Sequence, residues 1–258
     1  MSEFDDELSR RLEVIRGRDL YRQLRSIGSP QTPHLIIDGR PFLNFSSNDY
    51  LGLANEPHLK EAGHRAVEQY GAGSGASRLI CGSLQPHDEL EAALAEFKGV
   101  EAALVYSSGY AAALGTIGAL LTKDDIVVID KLVHASIVDA ARLCGAKLRV
   151  FAHNDLNSLA DILAWADRQL TKASGTASST PARPRVLVVT ESVFSMDGDV
   201  APLGELVELK EKHGAWLMVD EAHATGIYGR NRRGLAEMEG VSDRIEVQMG
   251  TLGKALGA

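Results

Sequence analysis

Ala215-Trp216-Leu217-Met218-Val219-Asp220-Glu221-Ala222-His223 is an unbroken apolar run that ends on two acids and a histidine. Such a run reads as a strand buried on both faces, the situation found where helices cover both sides of a parallel sheet. Comparable runs lie at 102–106, 126–130, 147–151, 186–190 and 245–249, alternating with helical segments near 110–121, 134–143, 155–170 and 202–213. The alternation predicts an α/β fold with a mostly parallel sheet and helices on both faces. In such sheets ligands bind beyond the carboxyl ends of the strands, so the residues immediately after each run are the candidates for a site.

Towards the N-terminus the pattern loosens. Residues 57–70 and 86–98 read as helices around the Gly-rich stretch 71–83. Residues 3–25 set Leu8, Leu12, Ile15, Leu20 and Leu24 near one helical face, an amphipathic arm. Pro30, Pro33 and Gly39 break it, and His34-Leu35-Ile36-Ile37 reads as a short extended run. The expected division is therefore an arm with a short extended segment over 1–45 and a large domain over 46–258. Residues 171–185, rich in Ser, Thr, Ala and Pro, read as a surface loop inserted before the strand at 186–190.

Composition narrows the function classes. The 258 residues carry a formal charge of −8, which argues against a general nucleic-acid or anionic-membrane surface. Cys81 and Cys144 form no CxxC pair, and the eight His show no HExxH spacing, so a metal site is not expected. No secretory h-region and no 18-residue apolar stretch is visible, and the expected location is the cytoplasm. Gly71-Ala-Gly-Ser-Gly-Ala-Ser-Arg78 is not a dinucleotide fingerprint, because Ala76 stands where the third Gly belongs and a helix precedes it. It reads as a loop close to a ligand, with Arg78 as an anion contact.

The chemistry concentrates after the strands. Gly250-Thr-Leu-Gly-Lys-Ala-Leu-Gly257 comes after the run at 245–249, and its glycines allow close backbone approach to Lys254. A lone Lys is ordinary surface charge, and Asp220-Glu-Ala-His223 alone is an ordinary strand end. Together they supply distinct parts of pyridoxal phosphate chemistry: an amine for a Schiff base and a carboxylate for the pyridine nitrogen. His223 can bond the ring hydroxyl or hold Asp220. Ser107-Ser-Gly109-Tyr110 opens a helix whose N-terminal N–H groups make a phosphate seat. His134, at a helix start, can stack on the ring, and Ser195 in Val193-Phe-Ser-Met-Asp-Gly198 can contact it.

These pieces, with Asn44-Phe-Ser-Ser-Asn-Asp-Tyr-Leu-Gly-Leu53, Tyr70–Arg78, His134-Ala-Ser-Ile137 and Gly250–Lys254, resemble the α-oxoamine synthase family of pyridoxal phosphate enzymes, from about residue 20 onwards. The resemblance implies the large domain of aminotransferase fold type I, a homodimer, and an acyltransferase joining an amino acid to an acyl-CoA with loss of CoA and CO₂. It implies Lys254, His134 and Asp220 as catalytic residues. Gly109, Tyr110, Ser195, His223 and Thr251 become further cofactor contacts, and Arg22, Asn48 and Ser77 substrate contacts. Gly71–Arg78 is similar to members using L-alanine and a pimeloyl thioester, which is the favoured reading. Arg78-Leu-Ile-Cys-Gly82 and Gly250–Gly257 look more like members using glycine and an acetyl thioester. Family members continue past the lysine into a smaller C-terminal domain that supplies a carboxylate-gripping Arg. Its absence here leads us to expect impaired activity or a non-catalytic fragment.

Overall fold

The computed structural model describes residues 2–173 and 185–258. Most of the inserted loop expected at 171–185 lies outside the described residues. Contacts divide the chain into two units, Met1–Ser47 and Asn48–Ala258.

In the first unit, helix α1 (Glu3–Arg16) starts with a capping box in which Ser2 and Asp5 satisfy each other's N–H groups. It stops at Gly17, well short of the expected residue 25. Asp19 sits at φ 55°, which a helix cannot continue, and Leu20 and Leu24 stand exposed. Strands β1 (His34–Ile37) and β2 (Arg40–Leu43) form an antiparallel hairpin across Asp38-Gly39. Both turn residues have positive φ, 50° and 74°, the conformation that two-residue hairpin turns demand.

The second unit holds helices α2 (Pro57–Tyr70), α3 (Gln85–Lys98) and α4 (Gly109–Leu120), with a π-helical turn at Arg78–Gly82. The alternating part comes next: β3 (Ile126–Asp130), α5 (Ala135–Leu143), β4 (Lys147–Phe151), α6 (Leu156–Ala173), β5 (Val186–Glu191), α7 (Leu203–Lys212) and β6 (Trp216–Asp220). The short α8 (Leu235–Met238), β7 (Val247–Met249) and α9 (Leu252–Ala255) complete it. The sheet order is β4-β3-β5-β6-β7, parallel throughout.

Period-two alternation assigns the faces. Val128, Val188, Leu217 and Val219 pack with Leu159 and Leu163 of α6 and Leu206 and Val207 of α7. Val127, Ile129, Leu187, Val189 and Met218 pack the other way, with Ala113 and Ile117 of α4 and Ile137 and Ala140 of α5. Each fully buried Leu or Ile here contributes about 1.5–3 kcal/mol. The α/β fold with helices on both faces is thus as expected.

One expected strand is missing. The run 102–106 joins no ladder, Leu104 is exposed, and the Val105 N–H donates to the Glu91 carboxylate at 2.8 Å. An apolar run becomes a strand only where a neighbouring edge offers hydrogen bonds. The edge strand β7 is short, and Glu246 ties its start inward by accepting from Lys210 Nζ at 2.5 Å and the Leu217 N–H at 2.7 Å.

Candidate active site

Strand register brings the acids together. In the β5–β6 ladder Glu191 lies opposite Asp220, so both carboxylates emerge at the carboxyl ends of neighbouring parallel strands. Strand β3 is flanked by β4 on one side and β5 on the other, so the chain reverses its direction of travel through the sheet between β3 and β5. That is where a doubly wound sheet leaves a crevice for a ligand. His134 comes after β3, Glu191 ends β5, Asp220 ends β6, and Thr251 and Lys254 come after β7.

Asp220 and Glu191 are both buried. Burial raises the Asp220 pKa, against the Ala222 N–H and the charges of Lys254 and His134. Glu191 rises to about 7, first through burial and then through Asp220. Its carboxylate accepts the His134 N–H at 2.5 Å and also the Ser195 N–H, so one acid holds the backbones of two expected cofactor contacts. Burial lowers the pKa of the Lys254 amine, while Asp220 and Glu191 pull it back up. The balance leaves an amine more easily neutral than an exposed lysine and close to two acids, which suits a nucleophile and base.

His134 caps α5, its Nδ1 accepting the Ser136 N–H at 3.2 Å while the ring stays exposed. His223 is pushed down to about 4 by burial, with Lys254 and His134 adding to the effect. It is therefore neutral near pH 7. The Tyr50 hydroxyl lies 2.6 Å from His223 Nδ1 and 3.3 Å from Asn48 Oδ1. With its proton given to the nearer Nδ1, the imidazole carries its own hydrogen on Nε2 and can donate from there. This chain of contacts places Asn48 beside His223.

Gly109 opens α4 behind Ser108, whose Oγ accepts the Ala111 N–H. A Cβ at Gly109 would stand 2.9 Å from Thr251 Cγ2, so the two residues touch and only Gly fits without a shift. Thr251 Oγ1 is buried with no hydrogen-bond partner among the described residues. A buried hydroxyl left unpaired costs about 1–3 kcal/mol, so an orphan beside a helix N-terminus marks a seat for an acceptor such as a phosphate oxygen. The Tyr110 hydroxyl donates to Asp139 Oδ2 at 3.1 Å, which turns that hydroxyl to α5.

Arg78 opens the π-helical turn and Ser77 stands just before it. Arg78 is taken up by Glu91 in a two-pronged pair, 2.5 and 2.9 Å, which holds the Glu91 pKa down at about 2. It is thus a structural ion pair and not the anion contact expected. Ser77 is exposed at the start of the π-helical turn and its carbonyl accepts the Ile80 and Gly82 N–H groups. Arg22 lies in the first unit. Sequence reasoning missed Glu191 and Tyr50. A charged residue ending the apolar run 186–190 was the available signal for the first, and nothing local marked the second.

The profile of aminotransferases class I and II matches residues 40–258. The chain belongs to that family. Within it, 8-amino-7-oxononanoate synthase of Geotalea daltonii is 48% identical over 258 residues, covering 100% of this chain and 61% of that protein. Serine palmitoyltransferase of Sphingomonas wittichii superposes with a TM-score of 0.84 at 35% identity, over 100% of this chain and 61% of that one. A serine palmitoyltransferase of S. paucimobilis, holding a PLP–myriocin aldimine, gives 0.84 at 33% identity over 99% and 61%. The chain thus spans about 60% of the length of the relatives it matches. Both named activities fall in the α-oxoamine synthase group that the motifs resemble.

Proposed function

We propose that residues 46–258 are the pyridoxal phosphate-binding large domain of an α-oxoamine synthase, with residues 1–45 as its arm. The reaction is the condensation of an amino acid, L-alanine favoured, with an acyl-CoA, pimeloyl-CoA favoured, with loss of CoA and CO₂, as in biotin synthesis. One observation carries the reading: register sets Glu191 opposite Asp220 at the strand ends, and Thr251, three residues before Lys254 and with its buried hydroxyl unpaired, packs against Gly109 at the start of α4.

The residues present fit the cofactor. The Gly109 and Tyr110 N–H groups and Thr251 would hold its phosphate, Asp220 its pyridine nitrogen, His134 its ring face, and His223 and Ser195 its ring substituents. When bound, the cofactor supplies an electron sink that stabilises negative charge at the substrate Cα. The chain's own groups do the rest. Asp220, whose pKa burial raises, would be the partner of the ring nitrogen and would favour its protonated form. Lys254 would hold the cofactor covalently through its amine and, once the substrate amine has taken its place and freed it, would move the Cα proton, for which its lowered pKa prepares it. Asn48 and Ser77, with Arg22 of the arm, are proposed for the substrate's carboxylate and acyl arm.

Glycine C-acetyltransferase is the second reading, favoured by Arg78–Gly82 and Gly250–Gly257 of the sequence. We also propose a cytoplasmic homodimer. Leu79 and Ile80 on the π-helical turn are 96% and 79% exposed, a cost that a second copy would remove. Among the described residues no helix is long and apolar enough to cross a membrane.

The test is mass spectrometry after incubation with pyridoxal phosphate and borohydride, beside Lys254→Ala. A reduced adduct on the Lys254 peptide, lost in the variant, is expected. Equal labelling of surface lysines would refute the site and leave a non-catalytic fragment as the reading.

A further inference from the structure

The segment Phe151-Ala152-His153-Asn154-Asp155 joins β4 to α6 and lies outside the constellation above. Its histidine sits between two carboxylates. His153 Nδ1 is 3.0 Å from Asp130 Oδ1, and Nε2 is 2.7 Å from Asp199 Oδ2. A carboxylate only accepts, so two such partners are both satisfied only when both ring nitrogens carry hydrogen. The arrangement is that of an imidazolium making two charge-assisted bonds.

The two acids differ in freedom. Asp130, the last residue of β3, is fully buried and also accepts the Leu132 and Asn154 N–H groups at 2.8 and 2.9 Å. It is a fixed post. Asp199 is part exposed and belongs to the turn that carries Ser195. That turn closes on itself, with the Phe194 N–H on the Asp199 carbonyl at 3.0 Å and the Gly198 N–H on the Phe194 carbonyl at 2.9 Å. Gly198, at φ 73°, supplies the left-handed corner. Asn154 Nδ2 adds bonds to Asp199 Oδ2 at 3.0 Å and to the Val200 carbonyl at 3.1 Å. The His153 ring also stands edge-on to Phe194, centroids 4.4 Å apart. The turn therefore hangs from Glu191 at the Ser195 N–H and from His153 with Asn154 at Asp199.

We infer that His153 is a positioning residue, an imidazolium that pins the Ser195 turn to the end of β3, so that protonation of this ring governs how firmly the turn is held against the site. The charged groups facing the ring are Asp130 from β3 and Asp199 from the turn, while Phe194 and Asn154 are uncharged. Burial presses the ring's pKa down, and the bonds to Asp130 and Asp199 overcome it, leaving it above the ordinary 6.5. A histidine raised in the fold holds its crosslink fully below about 6.5 and loses it as pH rises through the higher folded value. The proton then leaves Nε2 for solvent, and Asp199 faces a bare lone pair. The consequence for the cofactor rests on the reading of Ser195 as a cofactor contact. The crosslink does not.

The experiment titrates the purified chain labelled with ¹⁵N-histidine by NMR, with amide hydrogen-exchange protection read at 195–198, for wild type, His153→Gln and Asp199→Asn. Asp199 is at the surface, so its variant keeps the fold. The expected result is a His153 ring protonated on both nitrogens near pH 6, with protection of the turn falling about tenfold as the ring loses its proton at higher pH. Asp199→Asn lowers the His153 transition and removes the pH dependence of protection. A single neutral tautomer near pH 6, or protection unchanged in both variants, overturns the proposal. Pyridoxal phosphate affinity, measured on the same proteins, should fall with protection. Loss of protection with constant affinity overturns the link to the cofactor. Absence of any Lys254 adduct in wild type at every pH overturns the reading of the site instead.

Discussion

Glu191→Gln tests the buried acid pair through linkage. Glu191 is 2% exposed, and its pKa stands at about 7 against an ordinary 4.5. The cause is burial first and Asp220 second. A carboxyl raised in the folded state binds its proton more tightly there than in the unfolded chain, so stability falls as pH rises from the unfolded value to the folded one. The shift of roughly 2.5 units corresponds to about 3 kcal/mol over the whole window, and to about 2.5 kcal/mol between about pH 5 and about pH 8. Gln has no charge to bury, so its own contribution is flat. It still accepts one backbone N–H but presents an amide to another, a pH-independent loss of about 1–3 kcal/mol. Removing the charge also relieves Asp220, which acts in the same direction. Urea unfolding of the cofactor-free wild type and variant at both pH values isolates the effect of Glu191 and its coupling to Asp220, because the titrations not coupled to Glu191 cancel in the difference. The variant should gain on the wild type by about 2.5 kcal/mol as pH rises, or roughly 5–10 °C in Tm. A difference constant to within about 0.5 kcal/mol would mean that Glu191 titrates as an exposed acid, and the pairing across β5 and β6 would be wrong.

Lys98 donates to Glu221 Oε2 at 3.1 Å and to the Arg233 carbonyl at 2.5 Å, and Glu221 is fully buried next to Asp220. Lys98→Met should cost about 3–5 kcal/mol in urea unfolding, with most of it recovered in Lys98→Met/Glu221→Gln; additive losses would show that the pair is not coupled. Thr251→Val removes the unpaired buried hydroxyl, so the cofactor-free chain should gain up to about 1 kcal/mol while its affinity for pyridoxal phosphate falls. Calorimetry on both forms decides it, and two changes of the same sign would dismiss the hydroxyl as a phosphate contact.

The alternating half of the chain was legible because a parallel sheet covered on both sides leaves an unusually plain trace. Strands β3 and β5 are buried at every position and therefore apolar almost without a break. The 102–106 run leaves the same trace and is not a strand. Apolarity reports burial or its absence, whereas a ladder needs a partner edge, and here the Val105 N–H goes to a side chain. The arm failed for a different reason: Leu20 and Leu24 keep helical spacing, but spacing carries no stop signal as strong as Gly17 followed by a left-handed Asp19.

The site divides along the same line. Lys254, Asp220 and His134 could be named because each stands at or just past a strand end, and parallel strands deliver their ends to one rim. The hidden contacts are held between segments far apart in sequence. Glu191 is bonded to His134 across 57 positions and His153 to Asp199 across 46, and no window of sequence contains either pair. Arg78 shows the converse error. A basic residue in a Gly-rich loop looks free for an anion until Glu91, one helix later, is seen to occupy both prongs of its guanidinium. Local sequence therefore named the groups that gather at the strand-end rim, and long-range pairing decided which charged groups remain available there. Glu191 lies on that boundary. It belongs to the strand by pattern, to the site by register opposite Asp220, and its protonation state joins fold stability to chemistry at the same rim.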